Sequence, residues 1–189
     1  MHETLTQGFS WVCGQDAIHT WTCGGLPLPC CQRCTGLYLG SLAAFVLLNL
    51  LRPVMTRPVL WVHGLMLMLM VPFGFHWLPQ GALIRGWTGV LFGFGVMAFL
   101  RLPLTRRTVC PRSPARTARL CLYWSGLAAT LAALAVLHVS AEQSSVVFVS
   151  LIPACGALTL LGVAAANIRL GVCGLLRLCR GMTAQVRYE

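Results

Sequence analysis

Apolar runs of about twenty residues recur along this chain, the length an α-helix needs to cross a hydrocarbon core about 30 Å thick. There are five: about Gly36 to Leu51, ended by Arg52-Pro53; about Val59 to Leu78; about Gly86 to Leu102, rich in Gly and Phe; about Leu120 to Val139; and about Val146 to Ala166. Backbone polar groups find no water in lipid, so each span must satisfy its hydrogen bonds internally, and helices do this. The expected fold is an all-α membrane protein, a bundle of about five transmembrane helices with a short Cys-rich N-terminal extracytoplasmic segment. Composition agrees, with 57% of the 189 residues hydrophobic and 10% charged. The chain divides into a Cys-rich cap over 1–35, the bundle over 36–166 and a basic interfacial or cytoplasmic tail over 167–189. In that tail Arg169, Arg177 and Arg180 alternate with Leu, Val and Cys, a pattern that predicts a short helix lying in the interface. The lipid bilayer is the expected partner, with other membrane subunits as further candidates.

Orientation follows from arginine, since the chain has no Lys and all 14 positive charges are Arg. Residues 1–21 lack a basic n-region and a continuous apolar core, so the first span is expected to be inserted and kept. Five alternating spans place Arg33 and Arg85 on one side and the other arginines on the opposite side. Positive charge is retained inside, which predicts a multi-pass inner (cytoplasmic) membrane protein with the N-terminus outside and the C-terminus inside. The basic stretch from Arg101 to Arg119 and the net charge of +10 read as topology determinants facing anionic headgroups, with no nucleic acid partner implied.

The same topology sorts the 10 cysteines. Cys13, Cys23, Cys30, Cys31 and Cys34 gather on the outer side. Cys155 lies within the fifth span, and Cys110, Cys121, Cys173 and Cys179 sit at or beyond the inner face. Cys121 and Cys155 read as small apolar fillers, and the spacing of Cys173 and Cys179 does not put both on one helical face. Cys31-Gln32-Arg33-Cys34 is a Cys-x-x-Cys directly before the first span. That spacing serves both a tetrahedral metal ion and a dithiol that closes to a disulfide. Thr35, where covalent haem attachment needs His, removes that use. A non-covalent haem would need facing axial ligands, for which His76 and His138 are the candidates. The carboxylates Glu3, Asp16, Glu142 and Glu189 form no acid/base pair, and no phosphate-binding Gly-rich loop follows a strand.

Depth adds neighbours. The second and fourth spans run outward, which brings His76 and His138 to the outer level, and Arg85 starts the third span there. His76, Arg85 and His138 thus form a second-tier polar site beside the Cys-x-x-Cys. His63, near the inner end of the second span, has no such company; with Asn49 and Asn167 it completes the polar residues within the spans. Gly36 with Gly40, and Gly89 with Gly93, are small-x-x-x-small pairs suited to close helix approach within the bundle.

The segment Cys31-Gln32-Arg33-Cys34-Thr35-Gly36-Leu37-Tyr38-Leu39-Gly40 resembles the Cys-x-Arg-Cys-x-Gly-x-Tyr-x-Gly signature of the membrane proteins grouped as domain of unknown function 2085. That family's upstream Cys-His-Gln is matched by Cys13-Gly14-Gln15, with Gly replacing His. Its Pro-x-x-x-Asp is matched by Pro72 and His76, and its Arg-x-x-Thr-Gly-x-x-x-Gly by Arg85 to Gly93. The resemblance, spanning about Cys13 to Gly95, implies that Cys13, Cys31 and Cys34 act as one constellation, with position 76 and Arg85 as further members. Losing His at position 14 leaves His19 or Cys23 to replace it. His for Asp at position 76 suits a zinc-type ion and disfavours magnesium or calcium.

Three readings stay open from the residues. In the first, zinc is held by Cys13, Cys31 and Cys34 with His19, Cys23 or His76 as the fourth ligand, and the ion orders a segment with little apolar surface of its own. In the second, Cys31 and Cys34 exchange electrons with Cys13, Cys23 or Cys30 and with a membrane quinone. In the third, the cysteine segment is a stabilised cap on a structural membrane subunit.

Overall fold

Segments that cannot leave backbone groups unpaired in lipid form long helices, joined by short connections. A computed structural model describes residues 2–75, 77–104, 114–140 and 145–185. In chain order these form α1 (His2–Ser10), a single 3-10 turn (Ala17–His19), a hairpin of β1 (Thr22–Cys23) and β2 (Leu26–Pro27), α2 (Gln32–Leu51), α3 (Arg57–Met68), α4 (Met70–Gly74), α5 (Ala82–Arg101), α6 (Pro114–Ser140) and α7 (Val146–Gln185). Five stretches are long and apolar enough to cross a membrane: Gln32–Leu51, Arg57–Gly74, Ala82–Leu104, Thr117–Ser140 and Val149–Leu176.

The first span takes in the Cys-x-x-Cys. Cys31 is the N-cap of α2, so Gln32, Arg33 and Cys34 form its opening turn. At the other end Arg52 adopts a left-handed conformation (φ 46°) and Pro53 follows, which stops the helix. The second span is interrupted between α3 and α4, and α4 ends at Gly74, short of the expected Leu78. Pro72 accounts for the interruption: it lacks an N–H and its ring clashes with the carbonyl four residues back, that of Met68. A further departure is at the C-terminal end. The separate interfacial helix expected after Asn167 is instead a continuation of α7 to Gln185. Between Asn167 and Gln185 the chain has no proline, and Leu and Arg propagate a helix already nucleated, in spite of Gly171, Gly174 and Gly181.

α2 and α5 form the tightest pair. A β-carbon on Gly36 would run into the Gly86 carbonyl, and one on Gly40 into that of Val90; on the facing helix, Gly89 meets the carbonyl of Arg33 and Gly93 that of Leu37. Contacts advance together along both sequences, so the two helices run parallel, as two spans separated by one returning span must. Both small-residue pairs therefore serve packing within the bundle. α7 joins this pair through Gly156, which lies on the Tyr38 carbonyl. α6 runs antiparallel to α5: Leu134 packs near Gly86, and Tyr123 meets Phe94 with ring centroids 5.9 Å apart. Val90, Phe94, Met97, Tyr123 and Leu134 are fully buried in this core.

Several polar side chains inside the bundle have defined partners, although the buried Ser150 hydroxyl has none among the described residues. His63 is fully buried, its Nδ1 2.7 Å from the Val59 carbonyl and its Nε2 2.7 Å from the Tyr123 hydroxyl, with the Trp124 ring centroid at 5.3 Å. The expectation that His63 lacks company is corrected: no ionisable residue near it in sequence hinted at a tyrosine from α6. Because a carbonyl only accepts, Nδ1 carries the proton and Nε2 accepts from Tyr123. At the end of the bundle away from the cysteine segment, Arg101 donates to the Asn49 amide oxygen, and Asn167 donates to the carbonyls of Leu100 at 2.7 Å and Val163 at 2.9 Å. Cys121 and Cys155 are exposed on the outside of the bundle, so they do not fill its core; Cys110 lies outside the described residues.

Candidate metal centre

The cap is a chain of short devices that turn Cys13 toward the start of α2. Phe9 on α1 is buried against Tyr38 of α2, with ring centroids 5.4 Å apart. The N–H groups of Val12 and Cys13 both return to the Phe9 carbonyl, at 3.0 and 2.9 Å, which ends α1 and directs Cys13 inward. Gln15 then takes a left-handed conformation, φ 47°, uncommon for a residue with a β-carbon. In that position its amide donates to the carbonyls of Thr6 and Pro29, the latter at 2.8 Å, tying the loop after Cys13 to the segment that carries Cys30 and Cys31. The hairpin between them turns on Gly24 and Gly25, both at positive φ (57° and 79°), as a two-residue type I′ turn requires.

These devices bring Cys13, Cys31 and Cys34 together, with their sulfur atoms all within 4.8 Å of one another. Two sulfurs on one zinc at about 2.3 Å stand about 3.8 Å apart at the tetrahedral angle, so a contraction of about an ångström or less seats an ion. The backbone N–H of Cys31 donates to Cys13 Sγ at 3.3 Å. The Cys31 and Cys34 thiols, together with that N–H, hold the Cys13 thiol far below the usual range, while the Cys13 sulfur pushes Cys31 up. The arrangement favours ionisation at Cys13 over its two neighbours, and the thiolate is the form that binds metals and attacks disulfides.

Cys30 has a different role. Fully buried, it is pushed up to about 12 by desolvation. Its Sγ lies 3.3 Å from Thr35 Oγ1, and Thr35 donates its hydroxyl proton to the Cys31 carbonyl at 3.1 Å. Cys30 therefore donates S–H to Thr35 and remains a neutral thiol, outside the group of three.

Of the residues named from sequence as fourth ligands, none of the described ones joins that group. His19 is bonded through Nδ1 to Asp16 at 2.7 Å, and this bond holds the Asp16 carboxyl below the usual carboxylate range. Cys23 is fully buried in the neighbouring cluster with Trp21 and Leu28, and burial raises its thiol. His76 lies outside the described residues. Arg85 and His138 do lie at the end of the bundle that carries the cysteine segment, but His138 faces Trp21, ring centroids 5.8 Å apart, and is not in the group of thiols. Sequence reasoning passed over Gln15, Phe9 and the clamp of Arg33, whose Nη2 donates to the Phe73 carbonyl at 2.8 Å and to Gln80 Oε1 at 2.9 Å. Gln15 and Arg33 were visible as fixed positions of the family signature; nothing local marked Phe9.

Residues 13–99 match the family model described as predicted membrane protein, domain of unknown function 2085. It is the family whose signature lies between Cys31 and Gly40. The match takes in all three clustered thiols, the hairpin, and α2 through most of α5, so the glycine-lined helix pair and the cysteine group belong to one matched unit. α6, α7 and α1 lie beyond it. No curated protein and no solved structure matches the chain.

Proposed function

We propose that this chain is a five-span inner-membrane protein whose extracytoplasmic cap binds a zinc-type ion through Cys13, Cys31 and Cys34. The observation that carries the reading is the convergence of three sulfurs within 4.8 Å from two segments separated by the hairpin. Soft thiolates suit zinc, and three of them fill three of its four tetrahedral positions. An ion there joins the loop after α1 to the first turn of α2, so its binding energy adds to the stability of the cap. The cytoplasmic side of the molecule receives most of the arginines, in keeping with retention of positive charge inside.

A second reading has its own support. Cys13, its thiol lowered by Cys31 and Cys34 within the group of three sulfurs, is the candidate nucleophile for thiol-disulfide exchange, and a membrane thiol oxidoreductase would pass the electrons on to a quinone.

Metal analysis of the full chain purified without reductant, paired with a free-thiol count after denaturation, separates the two. One zinc per chain, lost in Cys34→Ser, supports the metal centre. Metal-free protein with Cys31 and Cys34 disulfide-linked overturns it in favour of exchange.

A further inference from the structure

A second place at the outer end has unfinished hydrogen bonding, and it is distinct from the thiols. Trp21, 5% exposed, has its indole Nε1 buried with no hydrogen-bond partner, and the same holds for Nε of Arg85 and Nδ1 of His138. The three residues come from the cap, the first turn of α5 and the last turn of α6, and the backbone at Gly86, next to Arg85, is where the three elements meet. The Trp21 and His138 rings have centroids 5.8 Å apart. A β-carbon on Gly86 would stand 3.0 Å from Trp21 Cη2 and 2.7 Å from Leu134 Cδ2, so the indole and Leu134 both lie close against α5 at this glycine. Arg85 is the residue before that glycine, and Leu134 is one turn before His138.

Leaving a buried N–H unpaired costs about 1–3 kcal/mol, and native structures rarely carry such a group without a partner to explain it. Here the chemistry narrows the partner. Trp Nε1 and Arg Nε can only donate, and Arg85 brings a fixed positive charge. The N-terminus of α5 adds to that field: its N-cap is Gly81, which supplies no side-chain cap to the free N–H groups of the first turn. The acid that feels Arg85, Asp16, is already committed to His19 at 2.7 Å and to the Ile18 N–H at 3.0 Å. Donors, positive charge and a helix N-terminus together call for an anionic acceptor.

We infer that the junction of Trp21, Arg85 and His138 binds a phosphate-type oxyanion, the chemistry shared by inorganic phosphate and a lipid phosphodiester headgroup. The site does not depend on metal at the thiols.

The test is thermal unfolding of the full chain in maltoside micelles, titrated separately with inorganic phosphate and with phosphatidylglycerol, for wild type, Trp21→Phe and Arg85→Gln. Wild type is expected to gain a concentration-dependent rise in midpoint, and each variant to need about tenfold more ligand for the same rise, as loss of one good hydrogen bond predicts. A response to phosphate assigns a free anion, and a response to phosphatidylglycerol alone assigns a headgroup. No rise with either ligand, or a rise that both variants retain in full, overturns the inference. Trp21→Phe keeps an aromatic ring without the indole Cη2 that reaches Gly86; should it fail to fold, half-buried Arg85→Gln decides the outcome alone.

Discussion

Gly89 on α5 packs directly against the carbonyl oxygen of Arg33 on α2, with no room for a β-carbon between them. The contact ties the tightest helix pair of the bundle to the residue that sits between Cys31 and Cys34. Separation of the helices there moves the first turn of α2, and with it two of the three clustered thiols.

Gly89→Ala is accordingly expected to destabilise the protein by about 1–3 kcal/mol, the usual cost of overpacking a close contact. Gly64 on α3 has open space where a β-carbon would go, so Gly64→Ala should be neutral or slightly stabilising. Midpoints of denaturant unfolding in micelles measure both; equal effects would show that the α2–α5 contact is not the tight one.

Tyr123→Phe removes the donor to His63 Nε2 and leaves a buried acceptor unpaired, a loss of about 1–3 kcal/mol. The double variant His63→Leu with Tyr123→Phe should recover part of this, because no polar atom is then left without its partner. A double-mutant cycle on unfolding midpoints reads the coupling, and strictly additive losses would refute it.

Arg33→Met breaks the hydrogen bonds to the Phe73 carbonyl and Gln80 that fasten the end of α4 to the start of α2. Protease cleavage between positions 74 and 81 should rise, and Arg33→Lys should restore only part of the protection, since an ammonium does not reproduce the guanidinium's flat fork. Unchanged cleavage in Arg33→Met would mean that the clamp does not hold this connection.

The Asp16 carboxyl, depressed chiefly by its bond from His19, should titrate below its ordinary value of 3.8. A depressed carboxyl stabilises the folded cap above 3.8, and that contribution disappears as pH falls through the lower folded value. The Ile18 amide, which donates to Asp16, reports the titration by NMR. His19→Ala should move its midpoint back toward 3.8; a midpoint that stays put would remove His19 as the cause.

Much of the bundle was legible in sequence because lipid leaves a chain so few options: apolar length gives the spans, and Gly36, Gly40, Gly89 and Gly93 are informative because helices in lipid gain by close backbone approach. Pro72 is equally visible in sequence, but an apolar run by itself carries no mark of the break between α3 and α4. The clustering of Cys13 with Cys31 and Cys34 was suggested by the family signature, since no spacing argument reaches across the hairpin. What ties Cys13 in place is Gln15 in a left-handed conformation, together with Phe9 on Tyr38; these are contacts between segments, which no periodicity encodes. His63 illustrates the same limit, because its partner is sixty residues away.

The cysteine group is contained in the first 34 residues, yet its surroundings are not. Phe9, Cys13, Cys30 and Tyr38 form one apolar cluster that Ala154, Ala157 and Leu160 of α7 close from the side. The apolar cover over Cys13 and Cys30 is therefore complete on that side only once α7 has docked. Until then Cys13 and Cys30, buried in the folded protein, stand open to whatever the surrounding compartment holds, whereas Cys31 and Cys34 stay partly exposed throughout.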